Sequence, residues 1–150
     1  DPAVKIVNIM SKLPTFDAFV DKNNVKVVVD QNNNALYFSR EPIPSPWNGW
    51  KHLPRYMQTG IIAFRRDTLL RFNAMSETQL EQIESVDMNR VLETGGRIRM
   101  VLTEAVTIGV DTPQELKDVE ELLNDDPTLA RYLTRRENIK SNQRHFKSKP

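Results

Sequence analysis

The stretch TGIIAFRRDTLLRFNAM, residues 59–75, indicates the fold class because it joins two elements of different type. Its first part, TGIIAFR (59–65), is rich in β-branched and apolar residues, which predicts a buried strand. The second part, RDTLLRFNAM (66–75), predicts a short helix that begins with Asp67 as its N-cap. A strand followed directly by a helix begins an alternation that favours an α/β architecture with a mixed sheet.

The alternation continues toward the C-terminus. TQLEQIESVDMNRVLETGG (78–96) has apolar residues at helical spacing and predicts one helix, ended by two glycines in the left-handed conformation. RIRMVLT (97–103) alternates basic and apolar residues, which predicts a half-buried strand. IGVDTPQELKDVEELL (108–123) predicts a strand end, a turn and an amphipathic helix. Residues 1–124 are therefore expected to form one α/β portion, followed by a polar, basic, partly disordered tail at 125–150.

The segments before residue 59 interrupt this order. VKVVVD (25–30) and ALYFSR (35–40) predict a β-hairpin, since QNNN (31–34) supplies turn residues between them. EPIPSPWNGWKHLPRY (41–56) contains four prolines and must be a loop. We interpret hairpin and loop as an arm that covers a site or meets a partner subunit. DPAVKIVNIMSK (1–12) is compatible with either a helix or a strand.

Composition narrows the classes of function. The net charge of +1 gives no overall attraction to nucleic acid or membranes, so neither is expected as a partner. There is no cysteine and there are only two histidines, which excludes thiolate metal sites and disfavours a histidine-based one. No apolar run approaches the roughly 20 residues that span a bilayer. A cytoplasmic protein is the default expectation.

Three side chains are candidates for binding a substrate, and each has an ordinary alternative. Arg40, at the end of a predicted strand, could bind a carboxylate or phosphate through its planar fork. Alternatively, it could be a surface arginine paired with Glu41 or Asp30. Gln58, at the start of a strand, could hydrogen-bond a ligand or simply be a satisfied amide. Asp87 lies near the apolar stripe of its helix, where it could bind sugar hydroxyls or face solvent.

Asp111 is the candidate metal ligand. Thr112, Pro113 and Glu115 already supply an N-cap, a first-turn proline and a capping acid, so the helix start does not require the aspartate. In open α/β sheets, ligands lie beyond the carboxyl ends of strands, and Mg²⁺ binds through one or two carboxylates plus substrate phosphates. The alternative is a solvated loop aspartate that interacts with the helix dipole.

Four segments in order resemble one family. The chain resembles the C-terminal half of the 3-deoxy-manno-octulosonate (Kdo) cytidylyltransferase family over about residues 21–123. The combination of NALYFSR-x-PIP with GVDTP is the specific part of the resemblance. The segments are VKVVVDQNNNALYFSREPIP, QTGIIAFRRDTLLRF, LEQIESVDMNRVLETGGRIRMV and IGVDTPQEL.

The resemblance implies a fold, an activity and roles for the candidates. The fold is an α/β sheet of the nucleotide-diphospho-sugar transferase type. The activity couples CTP to the anomeric hydroxyl of Kdo, giving CMP-Kdo and pyrophosphate for lipopolysaccharide synthesis, by a homodimer with Mg²⁺. Asp111 inherits the metal-ligand role, Arg40 contacts the sugar acid, and Asp87 contacts the sugar.

The chain also departs from the family pattern. Many members have His-Leu-Gly-Ile-Tyr where this chain has Gln58 to Ile62, so an amide and an aliphatic side chain replace an imidazole and a phenol. The family's N-terminal nucleotide-binding loop has no counterpart here, so the resemblance implies that the chain corresponds to a C-terminal portion. Two alternatives remain open: a non-catalytic dimerisation or binding remnant, and a cytidylyltransferase for a sialic-type sugar.

Overall fold

The structure, a computed structural model, describes residues 1–50, 54–105, 110, 113–124 and 126–129. The chain divides into two compact units, Asp1–Val106 and Thr107–Pro150. The first unit contains a sheet with four helices, and the second contains the helix that follows the predicted turn. The predicted basic tail lies almost entirely outside the described residues.

A five-stranded mixed sheet forms the centre of the first unit, which confirms the predicted architecture. The strand order is β3-β2-β4-β1-β5. Only β1 and β5 pair in parallel, while the hairpin β2–β3 and the pairs that β4 makes with β1 and β2 are antiparallel. The undecided N-terminal segment is thus a central strand. The strands are β1 (Ile6–Lys12), β2 (Lys26–Val29), β3 (Ala35–Ser39), β4 (Tyr56–Phe64) and β5 (Arg99–Thr103).

Short helices connect and cover the strands. The second of them was predicted to begin with Asp67 as its N-cap, and this is wrong. Arg65 occupies the N-cap position without a side-chain cap, and Asp67 lies in the first turn, where its charge favours the helix dipole. The helices are α1 (Phe16–Val20), α2 (Arg66–Ala74), α3 (Gln79–Glu84), α4 (Met88–Glu93) and α5 (Pro113–Asn124).

The single helix predicted over residues 78–96 is in fact two helices. Ser85 adopts the left-handed conformation, with φ 52° and ψ 47°, and ends α3. The chain then turns so that Val86 and Met88 become buried in the core. Of the two terminal glycines, Gly95 is left-handed as predicted, at φ 80°. Gly96 is not, and an added Cβ there would lie 2.6 Å from Val91 Cγ1.

Strand β4 was predicted to be buried, and this is wrong: none of its residues is fully buried, and its middle is exposed. Three residues of β4, 59–61, oppose the single residue Ile9 of β1, so the strand bulges. Gly60 in the bulge has φ 81°, a conformation that glycine adopts without strain. The bulge turns Ile61 outward, and 58% of its surface is exposed.

The proline-rich loop is anchored to α1 by an aromatic cluster. Trp50 packs against Phe19 with ring centroids 5.2 Å apart. The guanidinium of Arg55 lies over both rings and donates to the main-chain carbonyl of Trp50 at 3.2 Å. The loop between β3 and β4 is therefore anchored at Trp50 and at Arg55. None of the helices within the described ranges has the length and apolar character needed to cross a bilayer.

Candidate functional site

A polar cleft of about 350 Å³ lies where the α3–α4 turn meets strands β2 and β4. Arg40, Gln58 and Asp87 all line it, although they are far apart in sequence. The structure thus brings together the three predicted substrate-binding side chains. Their binding roles stay predictions, whereas their convergence on one cleft is a feature of the fold.

Arg40 is held by main-chain carbonyls of two segments. Its Nε and Nη2 donate to the carbonyl oxygens of Glu84 and Ser85 at 3.1 and 3.2 Å. Its Nη1 donates to the carbonyl oxygen of Lys22 at 3.0 Å. The alternative of a surface pair with a neighbouring acid is wrong, because Arg40 forms no ion pair with the residues that the structure describes, and Glu41 pairs with Lys22 at 2.6 Å. A guanidinium has five N–H donors, so two remain for a ligand.

Glu84 positions β3 and does not face the cleft beside Asp87. Its carboxylate accepts hydrogen bonds from Ser39 Oγ at 2.9 Å, Tyr37 Oη at 3.1 Å and the Arg40 main-chain N–H at 3.0 Å. On one continuous helix, Glu84 and Asp87 would share a face because they are three residues apart. They do not share one here, since the break at Ser85 rotates the chain between them.

The carboxylate of Asp87 makes neither a capping hydrogen bond nor an ion pair within the described residues. Asp87 occupies the N-cap position of α4 but makes no side-chain cap hydrogen bond. Its residue surface is exposed, and its carboxylate forms no ion pair with any residue that the structure describes. A carboxylate of this kind can accept hydrogen bonds from hydroxyl groups of a ligand.

Gln58 is tied to the sheet through its carbonyl oxygen. Oε1 accepts a hydrogen bond from Asn8 Nδ2 at 2.9 Å, and the main-chain N–H donates to the carbonyl of Val25 at 3.0 Å. Asn8 lies on β1 and is fully buried. Sequence reasoning missed Asn8, and the only signal was a polar residue inside the apolar run IVNIM (6–10).

A buried ion pair lies beside the cleft, which one of its members, Glu81, lines. Arg90 Nε donates to Glu81 Oε2 at 2.7 Å, and Nη2 donates to the other carboxylate oxygen. Only 12% and 11% of the two side chains are exposed. Arg90 Nη1 also donates to the carbonyls of Phe72 and Met75, at 3.3 and 3.2 Å. The pair therefore joins α2, α3 and α4.

The same pair predicts how stability depends on pH. The hydrogen bond from Arg90, followed by that from the Thr78 main-chain N–H, lowers the pKa of Glu81 below its ordinary value of 4.5. A lowered folded-state pKa stabilises the fold above the unfolded pKa, and this contribution is lost as pH falls through the folded value. We expect urea unfolding between pH 7 and pH 3 to show that the free energy of unfolding falls below about pH 4.5, and that this fall is smaller in Glu81→Gln. An equal loss in the variant would contradict this.

The predicted metal ligand cannot be placed. Asp111 and Thr112 lie outside the described residues, and so does the turn that precedes α5. Within the described ranges, no group of three or more histidine, cysteine, aspartate or glutamate side chains could hold a metal ion. Mg²⁺ often binds through one or two carboxylates and substrate oxygens, so a single aspartate is compatible with its chemistry.

Comparison with known proteins defines the class. The family model for cytidylyltransferases matches residues 2–100, and the chain belongs to this family. The 3-deoxy-manno-octulosonate cytidylyltransferase of Pelobacter propionicus is 40% identical over 131 residues, which is 81% of this chain and 51% of the relative. The enzyme of the same name from Geobacter sulfurreducens is 41% identical over 133 residues, covering 82% and 53%.

A solved structure supports the same assignment. The structure of a CMP:2-keto-3-deoxy-manno-octonic acid synthetase complexed with CTP aligns with a TM-score of 0.75 at 36% identity, over 83% of this chain and 51% of the other. The predicted nucleotide-diphospho-sugar transferase type of fold is thereby confirmed, and so is the predicted family resemblance. The chain spans about half the length of the curated relatives it matches.

Proposed function

We propose that this chain forms the sugar-acid-binding part of an enzyme that couples CTP to the anomeric hydroxyl of Kdo or a related 2-keto acid sugar. The products are the CMP-sugar, used for lipopolysaccharide synthesis, and pyrophosphate. The convergence of Arg40, Gln58 and Asp87 on one cleft carries the proposal, in a chain of the cytidylyltransferase family. The relatives' names and the CTP-bound neighbour support the choice of substrates.

The three side chains offer complementary contacts to such a sugar. Arg40 has two unused donors and a full positive charge, which suit the carboxylate of a 2-keto acid. Gln58 and Asp87 add a neutral amide and an acceptor carboxylate, which suit hydroxyl groups. The cleft would thereby fix both the acidic end of the sugar and its ring.

Positioning is the main contribution that these residues can make to the reaction. The anomeric oxygen forms a bond to the α-phosphorus of CTP, the bond from that phosphorus to the pyrophosphate oxygen breaks, and the hydroxyl proton is released. Phosphoryl and nucleotidyl transfer asks for alignment and charge neutralisation more than for covalent chemistry by the protein. Arg40, fixed by three carbonyls, would hold the attacking sugar in one orientation.

Mg²⁺ and the assembly state complete the proposal. Asp111 would hold Mg²⁺ together with substrate oxygens, and the ion would neutralise charge on the phosphates when bound. The enzyme would act in the cytoplasm as a homodimer. The family resemblance supports these statements.

A substrate panel on the full-length protein tests the proposal. Pyrophosphate release is measured with CTP and, in turn, Kdo, other 2-keto acid sugars and a sialic-type sugar, with and without a magnesium chelator. We expect release with a Kdo-like sugar and its loss on chelation. Release with the sialic-type sugar alone would reassign the enzyme, and no release with any sugar would favour the non-catalytic remnant.

A further inference from the structure

Asn8 is a buried polar residue with an incomplete set of hydrogen bonds, next to the cleft. It is 0% exposed and lies on β1, between β4 and β5, where it is paired with Ile62 and Met100. Strands on both sides fix its backbone. Its Nδ2 donates to Gln58 Oε1 at 2.9 Å, whereas its Oδ1 has no partner in the described part of the chain. Buried polar groups are nearly always hydrogen-bonded, so an unpaired buried amide oxygen needs an explanation beyond packing.

The direction of the hydrogen bond between the two amides follows from counting donors. If both amides were reversed, Gln58 Nε2 would donate to Asn8 Oδ1. The Asn8 nitrogen, with its two N–H groups, would then lie where the Asn8 carbonyl oxygen now lies without a partner. An amide nitrogen brings two donors, whereas under-satisfied carbonyl oxygens are tolerated better than orphaned N–H groups. Both directions leave two polar groups of Asn8 without partners, but the observed direction leaves one orphaned N–H group where the reversed one would leave two.

The consequence for Gln58 is that its carbonyl oxygen is occupied and its nitrogen is not. Gln58 lines the cleft, and its Nε2 makes no hydrogen bond to the residues that the structure describes. The group that Gln58 can offer to a ligand is thus an N–H donor. A free glutamine, by contrast, can turn its amide and offer either a donor or an acceptor.

We propose that Asn8 is a positioning residue that determines specificity in the sugar site. It fixes the Gln58 amide so that Gln58 Nε2 donates a hydrogen bond to an acceptor oxygen of the bound sugar acid. That oxygen belongs to the carboxylate or to a hydroxyl group. This inference rests on the proposed function. Because both side chains are neutral amides, their contribution to sugar binding does not change with protonation between pH 6 and pH 9.

Kinetics of single and double variants of the full-length protein test the coupling. Asn8→Ala and Gln58→Ala should each raise the KM for the sugar about tenfold, which corresponds to about 1.4 kcal/mol, while the KM for CTP stays within about twofold. The double variant should have a sugar KM no higher than that of Gln58→Ala, because Asn8 acts through Gln58. Additive effects, or a parallel rise of both KM values, would overturn the proposal.

Two further variants separate positioning from folding. Asn24→Ala is a matched control because it removes an amide donor that bonds a main-chain carbonyl, that of Ala18, at the same 2.9 Å. It should leave the sugar KM unchanged. Asn8→Asp preserves the side-chain volume, and its carboxylate can only accept from Gln58. We expect at least a tenfold higher sugar KM at pH 8, and an unchanged value would count against the proposal.

A measurement on the ligand-free protein makes failure of this inference distinguishable from failure of the proposed function. The side-chain amide of Gln58 is followed by ¹⁵N NMR in the parent protein and in Asn8→Asp, with Asn24→Ala as control. A change of chemical shift and exchange rate in Asn8→Asp alone is expected. Unchanged Gln58 signals refute the inference whatever the activity. Changed signals without turnover of any sugar refute the proposed function instead.

Discussion

Replacing Arg40 with alanine is expected to raise the KM for the sugar acid about a hundredfold, while the KM for CTP changes by less than about twofold. A hydrogen bond to a charged group contributes about 1.5–3 kcal/mol, and about 2.7 kcal/mol corresponds to a hundredfold change. The two guanidinium donors that the main-chain carbonyls leave free would provide that energy. Initial rates with each substrate varied in turn give both values.

Two control variants separate binding of the sugar from support of the backbone. Arg40→Lys keeps the charge but cannot reach three carbonyls from one planar group, so most of the increase should remain. Lys22→Ala retains the carbonyl that Arg40 contacts and should leave the sugar KM near the parent value. A thermal melt of each variant reports the loss of the carbonyl contacts separately. An unchanged sugar KM in Arg40→Ala, with weaker binding of CTP, would assign the residue to the nucleotide.

Replacing Arg90 with alanine is expected to lower the free energy of unfolding by about 3–5 kcal/mol, because removing one member of a buried ion pair leaves the other charge uncompensated. Glu81 would lose its two hydrogen bonds from the guanidinium. The C-terminal carbonyls of α2 would lose theirs, and Phe72 would lose a cation–π contact at 4.7 Å. Urea unfolding followed by circular dichroism measures the difference.

Arg97→Ala is the matched control, since Arg97 is exposed and forms no ion pair within the described ranges. A surface substitution of this kind changes stability by about 0.5 kcal/mol or less. The double variant with Glu81→Gln should recover part of the loss in Arg90→Ala, because it removes the orphaned charge. A loss of less than about 1 kcal/mol in Arg90→Ala would show that solvent compensates Glu81.

Local sequence patterns were sufficient for strands β2 to β5, but neither for β1, whose sequence is compatible with either helix or strand, nor for the break between α3 and α4. The runs VKVVVD (25–30) and ALYFSR (35–40) are β-branched and aromatic and are separated by turn residues, so the hairpin could be predicted from nearby residues. Ser85 has no glycine or proline beside it to mark a turn. Its left-handed conformation is accompanied by long-range contacts, since Arg40 bonds its carbonyl and burial of Val86 favours the new chain direction.

The candidate site was predictable only in part. Arg40 and Gln58 were found from their positions at element ends, Asp87 was found from its place near the apolar stripe of a predicted helix, and the family resemblance added to this. The structure places all three on one cleft. Asn8 was not found, because its partner Gln58 is 50 residues away and register between strands cannot be inferred from a single strand. The role of Glu84 was missed for the same reason, since its hydrogen-bond donors lie on β3.

The contacts of Arg40 have a consequence for how the site can diversify. All three groups that hold the guanidinium are main-chain carbonyls, and every amino acid supplies the same carbonyl. Substitution at Lys22 therefore leaves the anchor in place, and at Ser85 the same holds for residues that accept the left-handed conformation. Gln58 and Asp87, by contrast, contribute side chains that each substitution alters. Under the proposed function, sugar preference would therefore drift by point mutation at Gln58, at Asp87 and at the positioning residue Asn8. The main-chain groups that orient Arg40 for the acid would be inherited with the fold.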